Sequence, residues 1–279
     1  MIWILSITIC LAMAIIVFLK APYSATKTHF NNDMNSHAKC MIQTDLMITQ
    51  QDIKSLPRPV QKHFYVSGYL GKRRMSLVKA YITSAPLTDS NDKPPMLVDY
   101  TLCSFADEPV RLAYIKTSIF SIPFEAYDST QNGVGFMKGV LGKVITLFNQ
   151  TGTEMDKAQL LTYLGECFLI PSAIFNDYIT WESIDDIHAK ASISYKGITG
   201  SGVFTFNEQG FVQSFQTEQR ARISNNGSVD YPKWSLEYGE FKEKDNIYYP
   251  TKLRTIWHGS ECNLVYFDAK NIKFVYDYL

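Results

Sequence analysis

No sign of charge dominates this sequence: Lys plus Arg and Asp plus Glu both total 27, so the formal net charge is zero. A nucleic-acid partner normally leaves a basic excess or stripe, so none is expected. Cysteine is sparse and scattered. The five stand at positions 10, 40, 103, 167 and 262, with no CxxC pair and no histidine at metal-ligand spacing, which argues against a structural zinc site. Neither a metal nor a cofactor is expected. GxSxG and HExxH are missing too, and no cysteine has an obvious partner base. Gly133, Gly135, Gly139 and Gly142 approach a phosphate loop without making one. Lys138 stands where the third glycine of GxGxxG belongs, and the Walker spacing fails around Gly142-Lys143-Val144. Such glycines in strand-like sequence mark bulges or bends in a curled sheet.

Apolar material is plentiful. Hydrophobic residues make up 46% of the chain and charged ones 19%, enough for a sizeable core and unlike a disordered composition. Seventeen Tyr and seventeen Phe suit half-buried pleated surfaces.

Ile2 to Leu19 is an almost unbroken apolar run closed by Lys20, at the lower edge of the length that crosses a bilayer. A cleaved signal peptide would want a positive residue before the run and small residues at the cut, and Tyr23-Ser24-Ala25 is a poor match. A lipoprotein signal would want a small residue where Ile9 precedes Cys10. The expectation is an uncleaved single-pass anchor over residues 1–20, with a buried core helix as the alternative. Lys20, Lys27 and Lys39 all follow the run, which by the positive-inside rule argues for a cytoplasmic domain. Residues 21–50 read as a polar linker with little structure of its own, in which His29 and His37 are solvated. Residues 51–279 read as a single β-rich domain. If that domain lies outside the cytoplasm, Cys40, Cys103, Cys167 and Cys262 are the thiols open to pairing, although burial as free thiols is the expectation.

Within the domain, Gln51 to Tyr65 reads as a short helix opened by prolines, with Val60 and Phe64 inward and His63 beside them as a packing or surface residue. Strands are expected around Lys72–Thr83, Met96–Ser104, Val110–Ile119 and Ile122–Ser129, with Pro86 to Pro95 as a loop. Thr153 to Phe168 is an amphipathic helix: Thr153 and Asp156 make a capping-box pattern, and Leu160, Leu161, Leu164, Cys167 and Phe168 form its apolar face. Gln159, Thr162 and Glu166 collect on the opposite side, and Pro171 ends the run. Gly165 inside it costs about 1 kcal/mol relative to alanine, which suggests a backbone passing close by. A strand bearing Trp181 follows, then strands at Ile187–Tyr195, Gly200–Phe206, Phe211–Ile223, Trp234–Lys242, Tyr248–His258, Cys262–Phe267 and Ile272–Tyr278. On the fourth of these Glu218, Arg220 and Arg222 share a face, either as a solvated charge ladder or, facing a cavity, as a site for a headgroup or carboxylate. Asp186 and His188 fall on a solvent face.

Several of these segments together resemble a known family. Leu56-Pro57-Arg58-Pro59-Val60, then Leu161-Thr162-Tyr163-Leu164-Gly165-Glu166 with Pro171 and Ala173-Ile174, then Trp181-Glu182-Ser183-Ile184-Asp185 with Ala189 carry the likeness, and Phe206 to Gly210 and Arg220 extend it. The chain resembles an uncharacterised domain-of-unknown-function family of bacterial membrane-anchored proteins. That resemblance implies an extracytoplasmic domain, against the lysine bias, and it brings no catalytic residue. Thr162 stands where an arginine is common, and Pro232-Lys233-Trp234 replaces a more usual Pro-Trp.

The fold class expected is mainly β (α+β): one large, strongly curved antiparallel sheet of about eight to ten strands, a central amphipathic helix on one face and an N-terminal transmembrane helix. A curled aromatic sheet under a helix makes an apolar hollow, so the function expected is a membrane-anchored, non-enzymatic binding or carrier-like protein for a lipid or other hydrophobic ligand. Arg220, Trp181, Glu166 and Trp234 are its candidate ligand-binding residues. The rival is a hydrolase-type enzyme using the carboxylates of Glu166 and Asp185 with Arg220, for which one carboxylate would need burial. A structural envelope interaction protein is the third reading.

Overall fold

Residues 1–41, 45–224 and 227–276 are described by a computed structural model. Two helices lead, α1 (Ile2–Lys20) and α2 (Ala25–Cys40), followed by the short α3 (Gln50–Ile53) and α4 (Arg58–Val66). Six strands come next: β1 (Leu77–Leu87), β2 (Met96–Phe105), β3 (Val110–Ile119), β4 (Ile122–Gln131), β5 (Val134–Leu141) and β6 (Ile145–Gln150). Helix α5 (Thr153–Gly165) and two 3₁₀ turns (Cys167–Leu169, Pro171–Phe175) interrupt the strands. The chain resumes with β7 (Ile179–Ser183), β8 (His188–Tyr195), β9 (Ile198–Phe206), β10 (Val212–Thr217), β11 (Arg222–Ile223) and β12 (Val229–Asp230). It closes with β13 (Trp234–Lys244), β14 (Ile247–Trp257), β15 (Leu264–Ala269) and β16 (Lys273–Tyr276). Residues 277 and 278 of the last expected strand lie outside the described residues.

Fourteen strands form one antiparallel sheet in the order β6-β5-β4-β3-β2-β1-β15-β14-β13-β10-β9-β8-β7, with β16 paired to β1. Short hairpins dictate this, because two-residue connections join only antiparallel neighbours. The strand number exceeds the eight to ten expected, and the glycine-rich region is one reason. There β5 and β6 are true strands: Gly139 leaves room for the Phe148 ring, which a Cβ would meet at 2.4 Å. The ladder shifts register beside it, between Gly139 and Val140. The sheet does not close, yet its wings approach each other. Lys196 Nζ, in the turn between β8 and β9, reaches Asn132 Oδ1 at 3.4 Å in the turn between β4 and β5.

Helix α5 lies inside this curl, against β4 and β5 of one wing and β8 and β9 of the other. Being enclosed on two sides, it is not amphipathic in use. Gln159 and Thr162, expected on a polar face, are buried along with the leucines. The expected capping box does not form either. Gly152 is the N-cap, and the Asp156 carboxylate instead accepts from the Gly135 backbone N–H at 2.7 Å, tying the helix start to β5. A capping box does occur at Thr49 and Asp52, ahead of α3.

The segment expected to be a plain linker holds α2. Ser24 caps it, its Oγ accepting from Lys27 N–H at 3.1 Å, and Phe30 is buried against Tyr114 and Tyr127 on the convex face. Phe30, Met34 and Ala38 recur every four residues, one apolar residue per turn. That stripe is narrow enough to be lost in a polar sequence. A second, smaller core therefore covers β2 to β4 from outside, while the main core lies within the curl. Helix α1 joins neither: from Trp3 to Phe18 its side chains are exposed, so it is not a core helix.

Candidate functional site

The C-terminal end of α5 gathers the polar side chains of the concave face. Glu166 leaves the helical conformation, with φ −93° and ψ 2°, and its side chain turns down to the sheet. It meets Arg111, which points inward from β3. Arg111 Nε donates to Glu166 Oε2 at 2.7 Å, Nη2 to Oε1 at 3.1 Å and to the Tyr100 hydroxyl at 2.5 Å, and Nη1 to Asp128 Oδ2 at 2.9 Å. Side-chain exposure is 4% for Arg111 and 12% for Glu166. Burial opposes the charge of Arg111, but Glu166, Tyr100 and Asp128 outweigh it and push its pKa above the ordinary arginine value. Burial likewise lifts the Tyr100 hydroxyl far above its usual range. Asp128 keeps one buried oxygen, Oδ1, without a hydrogen-bond partner. A guanidinium occupied so fully holds the helix to the sheet.

Arg220 stands differently. The expected long strand from Phe211 breaks after Thr217, so Glu218, Arg220 and Arg222 form no ladder. The break turns Arg220 over the helix, where its Nε donates to Thr162 Oγ1 at 3.0 Å. The guanidinium lies 4.8 Å from the Trp234 ring centre and 5.0 Å from that of Trp257. It is half-buried, and among the described residues no carboxylate is paired with it. Both indoles attract the cation through their ring faces, so the position of the guanidinium is held by the Thr162 hydrogen bond and by two aromatic contacts.

Trp234 itself is fully buried and donates from Nε1 to the Tyr266 hydroxyl at 3.1 Å. Tyr266 reaches inward because it is the extra residue of a bulge: Thr255 pairs with Phe267 and Ile256 with Val265. Gly165 explains itself here. A Cβ would lie 2.9 Å from the Phe215 ring and 3.3 Å from Trp234, and the Gly165 carbonyl accepts from the Tyr238 hydroxyl. The close neighbours are aromatic side chains rather than the backbone expected.

Glu166, Arg220 and Trp234 thus meet around the last turns of α5. Trp181 does not join them. It packs on Phe168 and Phe204, its buried Nε1 is without a partner, and it borders a separate cleft of about 390 Å³ with Asp52, Arg74 and Phe175. Asp185 is exposed at the turn before β8, where its carboxylate accepts from the N–H groups of Ile187 and His188 and contacts the His188 ring. It is a turn-former, remote from the buried Glu166 arrangement. Among the described residues, no three His, Cys, Asp or Glu side chains are placed to hold a metal ion. Sequence reasoning passed over Arg111, Tyr100, Asp128 and Trp257. The available signal was an arginine inside Val110 to Ile115, a run otherwise apolar enough to be buried on both faces.

Residues 47–269 match a family of unknown function, DUF6544. No curated protein matches. Among solved structures, a LolA superfamily protein from Nitrosomonas europaea aligns over 78% of this chain and 90% of its own, at 13% identity and a TM-score of 0.37. A putative outer membrane lipoprotein-sorting protein domain from Vibrio parahaemolyticus aligns over 73% and 84%, at 8% identity and 0.35. At scores this low, neither lends the present chain a ligand.

Proposed function

The chain belongs to DUF6544, a family of unknown function, and we propose that this member is a membrane-anchored, non-enzymatic binding module for an amphiphile with an anionic head. The observation that carries the reading is Arg220. A half-buried guanidinium with no carboxylate partner among the described residues, lying about 5 Å from the ring centres of both Trp234 and Trp257, is suited to receive a carboxylate or phosphate. Arg111 offers the contrast, since its N–H groups are committed to Glu166, Asp128 and Tyr100.

Apolar surface supports the other half of the ligand. On the concave side Ile119, Leu141, Phe148, Tyr266 and Phe267 are only partly buried and continue the main core. Helix α1 serves as the anchor: 19 residues at about 1.5 Å each span roughly the 30 Å of a hydrocarbon core. The domain lies outside the cytoplasm in this reading, as the family resemblance implies and against the bias of Lys20, Lys27 and Lys39.

The test is binding of a fluorescent fatty acid to the purified full chain, alongside mass spectrometry of the organic extract of that protein. Arg220→Ala is expected to weaken probe binding about tenfold, the scale of one charge-assisted contact, while the protein stays folded with a modest loss of melting temperature from the Thr162 and indole contacts. Arg220→Lys should recover only part of the loss, because a lysine does not stack as a planar fork. Equal affinity in wild type and Arg220→Ala, or no probe binding and no lipid in the extract, overturns the reading and leaves a structural envelope protein in its place.

A further inference from the structure

The end of the sheet beside α1 carries apolar side chains that no described residue covers. Phe120, at the turn between β3 and β4, is 95% exposed, and Val144, at the turn between β5 and β6, is 68% exposed. Ile122, Ile145 and Leu147 are exposed with them. The turn between β5 and β6 sits against the last turn of α1, and the Phe120 turn lies beside it through Ile122. Lys143 Nζ donates to the carbonyls of Phe18 at 2.9 Å and Ala21 at 2.6 Å, closing the helix end, and its ammonium lies 5.6 Å from the Phe18 ring centre. A Cβ on Gly142 would be 3.5 Å from Ile122 and 3.6 Å from Leu19.

The Phe120 turn is also costly for a hairpin in water. Phe120 and Ser121 have φ of 49° and 65°, a backbone that favours Asn and Gly and that bulky residues rarely adopt. Turns elsewhere in the sheet with that backbone use Asn132-Gly133, Lys196-Gly197 and Asp245-Asn246. An aromatic ring held at an unfavourable φ and left bare has its place explained by a surrounding other than water.

We propose that these two hairpin tips, with Phe120 and Val144 foremost, seat in the interfacial layer of the bilayer that α1 enters, with Lys20 and Lys143 at headgroup level. The occupant is lipid because one tip is bonded to the apolar helix end through Lys143 and the other lies beside that tip, so both share the depth of the helix end. The inference rests on the reading of α1 as a membrane anchor. It gives the domain a fixed orientation, with the apolar residues Leu141 and Phe148 of the concave face starting directly behind the seated turn.

The test places the photoreactive residue p-benzoylphenylalanine at position 120 or 144 of the full chain, irradiates cell membranes and detects phospholipid adducts by mass spectrometry. Ile16 in α1 is the positive control. Val134 is the negative one, exposed and apolar but at the start of β5, opposite Gln131 at the far end of β4, about 30 Å from Ile122 at some 3.3 Å per residue. Adducts at 120 and 144 at least about tenfold above those at 134 are expected of a seated surface. Adducts at Ile16 with none at 120 and 144 overturn the seating while leaving the anchor intact. No adduct at Ile16 removes the anchor, and the seating falls with it. Because a tip residue could affect folding, melting temperatures of the labelled chains are compared with wild type, and Phe120→Ser with Val144→Ser should release more of the domain's hydrogen exchange protection at these turns in detergent-free membranes only if the seat exists; unchanged protection is a second result against it.

Discussion

His63 is buried in α4, packed against Phe168 with ring centres 4.8 Å apart. Its Nδ1 lies 3.2 Å from the Val212 N–H and 3.3 Å from the Gly210 carbonyl, so the neutral ring accepts from the first in one tautomer and donates to the second in the other. Burial lowers its pKa from 6.5 to about 3, against a smaller opposing contribution from Gly210. Between those values the unfolded chain binds a proton that the folded chain does not. The stability from a neutral His63 is therefore complete above pH 6.5 and is lost as pH falls toward 3, at about 1.4 kcal/mol per pH unit. Denaturant unfolding from pH 7 to 4 should show a slope shallower by about that amount in His63→Gln than in wild type. Parallel slopes in the two proteins would refute it. The place of His63 beside Val60 and Phe64 was legible in the sequence, though not whether it packs or meets water. Arg111 was not, because strand period places a residue on a face and cannot say that both faces of β3 are covered, one by α2 and the other by α5.

At the scale of elements, α5 is held by its ends. Asp156 fixes its start to Gly135, and Glu166 fixes its finish to Arg111. Removing the Glu166 charge leaves a buried guanidinium short of a partner, a loss that runs to several kcal/mol in comparable sites. Glu166→Gln is expected to lower unfolding free energy by about 2 kcal/mol or more while probe affinity stays near wild type. An unchanged melting temperature with a lost activity would instead mark Glu166 as chemical. The start of this helix could be read from spacing, but it ends at Gly165, short of the expected Cys167 and Phe168, and Pro171 opens a 3₁₀ turn instead of stopping it. Its capping and its polar side could not: whether Gln159 and Thr162 meet water depends on two strand wings folding over them, and those wings are distant in the chain.

For the whole molecule, the same curl sets what can reach the site. With the domain outside the cytoplasm, the exposed Cys40 and Cys262 should react with a membrane-impermeant thiol reagent in intact cells, while the buried Cys103 and Cys167 stay unlabelled. Labelling that appears only after permeabilisation would place the domain inside and favour the lysine bias. All five cysteines are free thiols in the structure, but only Cys103 and Cys167 have the burial expected of them, while Cys40 and Cys262 are exposed.

Local pattern in the sequence was enough for the apolar helix α1, the strand at Val110–Ile119, the start of α5 at Thr153 and the antiparallel class of the sheet, because period, proline and turn residues act within a few positions. What only the tertiary structure decided are the partnerships: Arg111 with Glu166, 55 residues apart, and Arg220 with Thr162, 58 apart. A buried polar contact draws its strength from the exclusion of water by surroundings that are remote in sequence, and no local period encodes it.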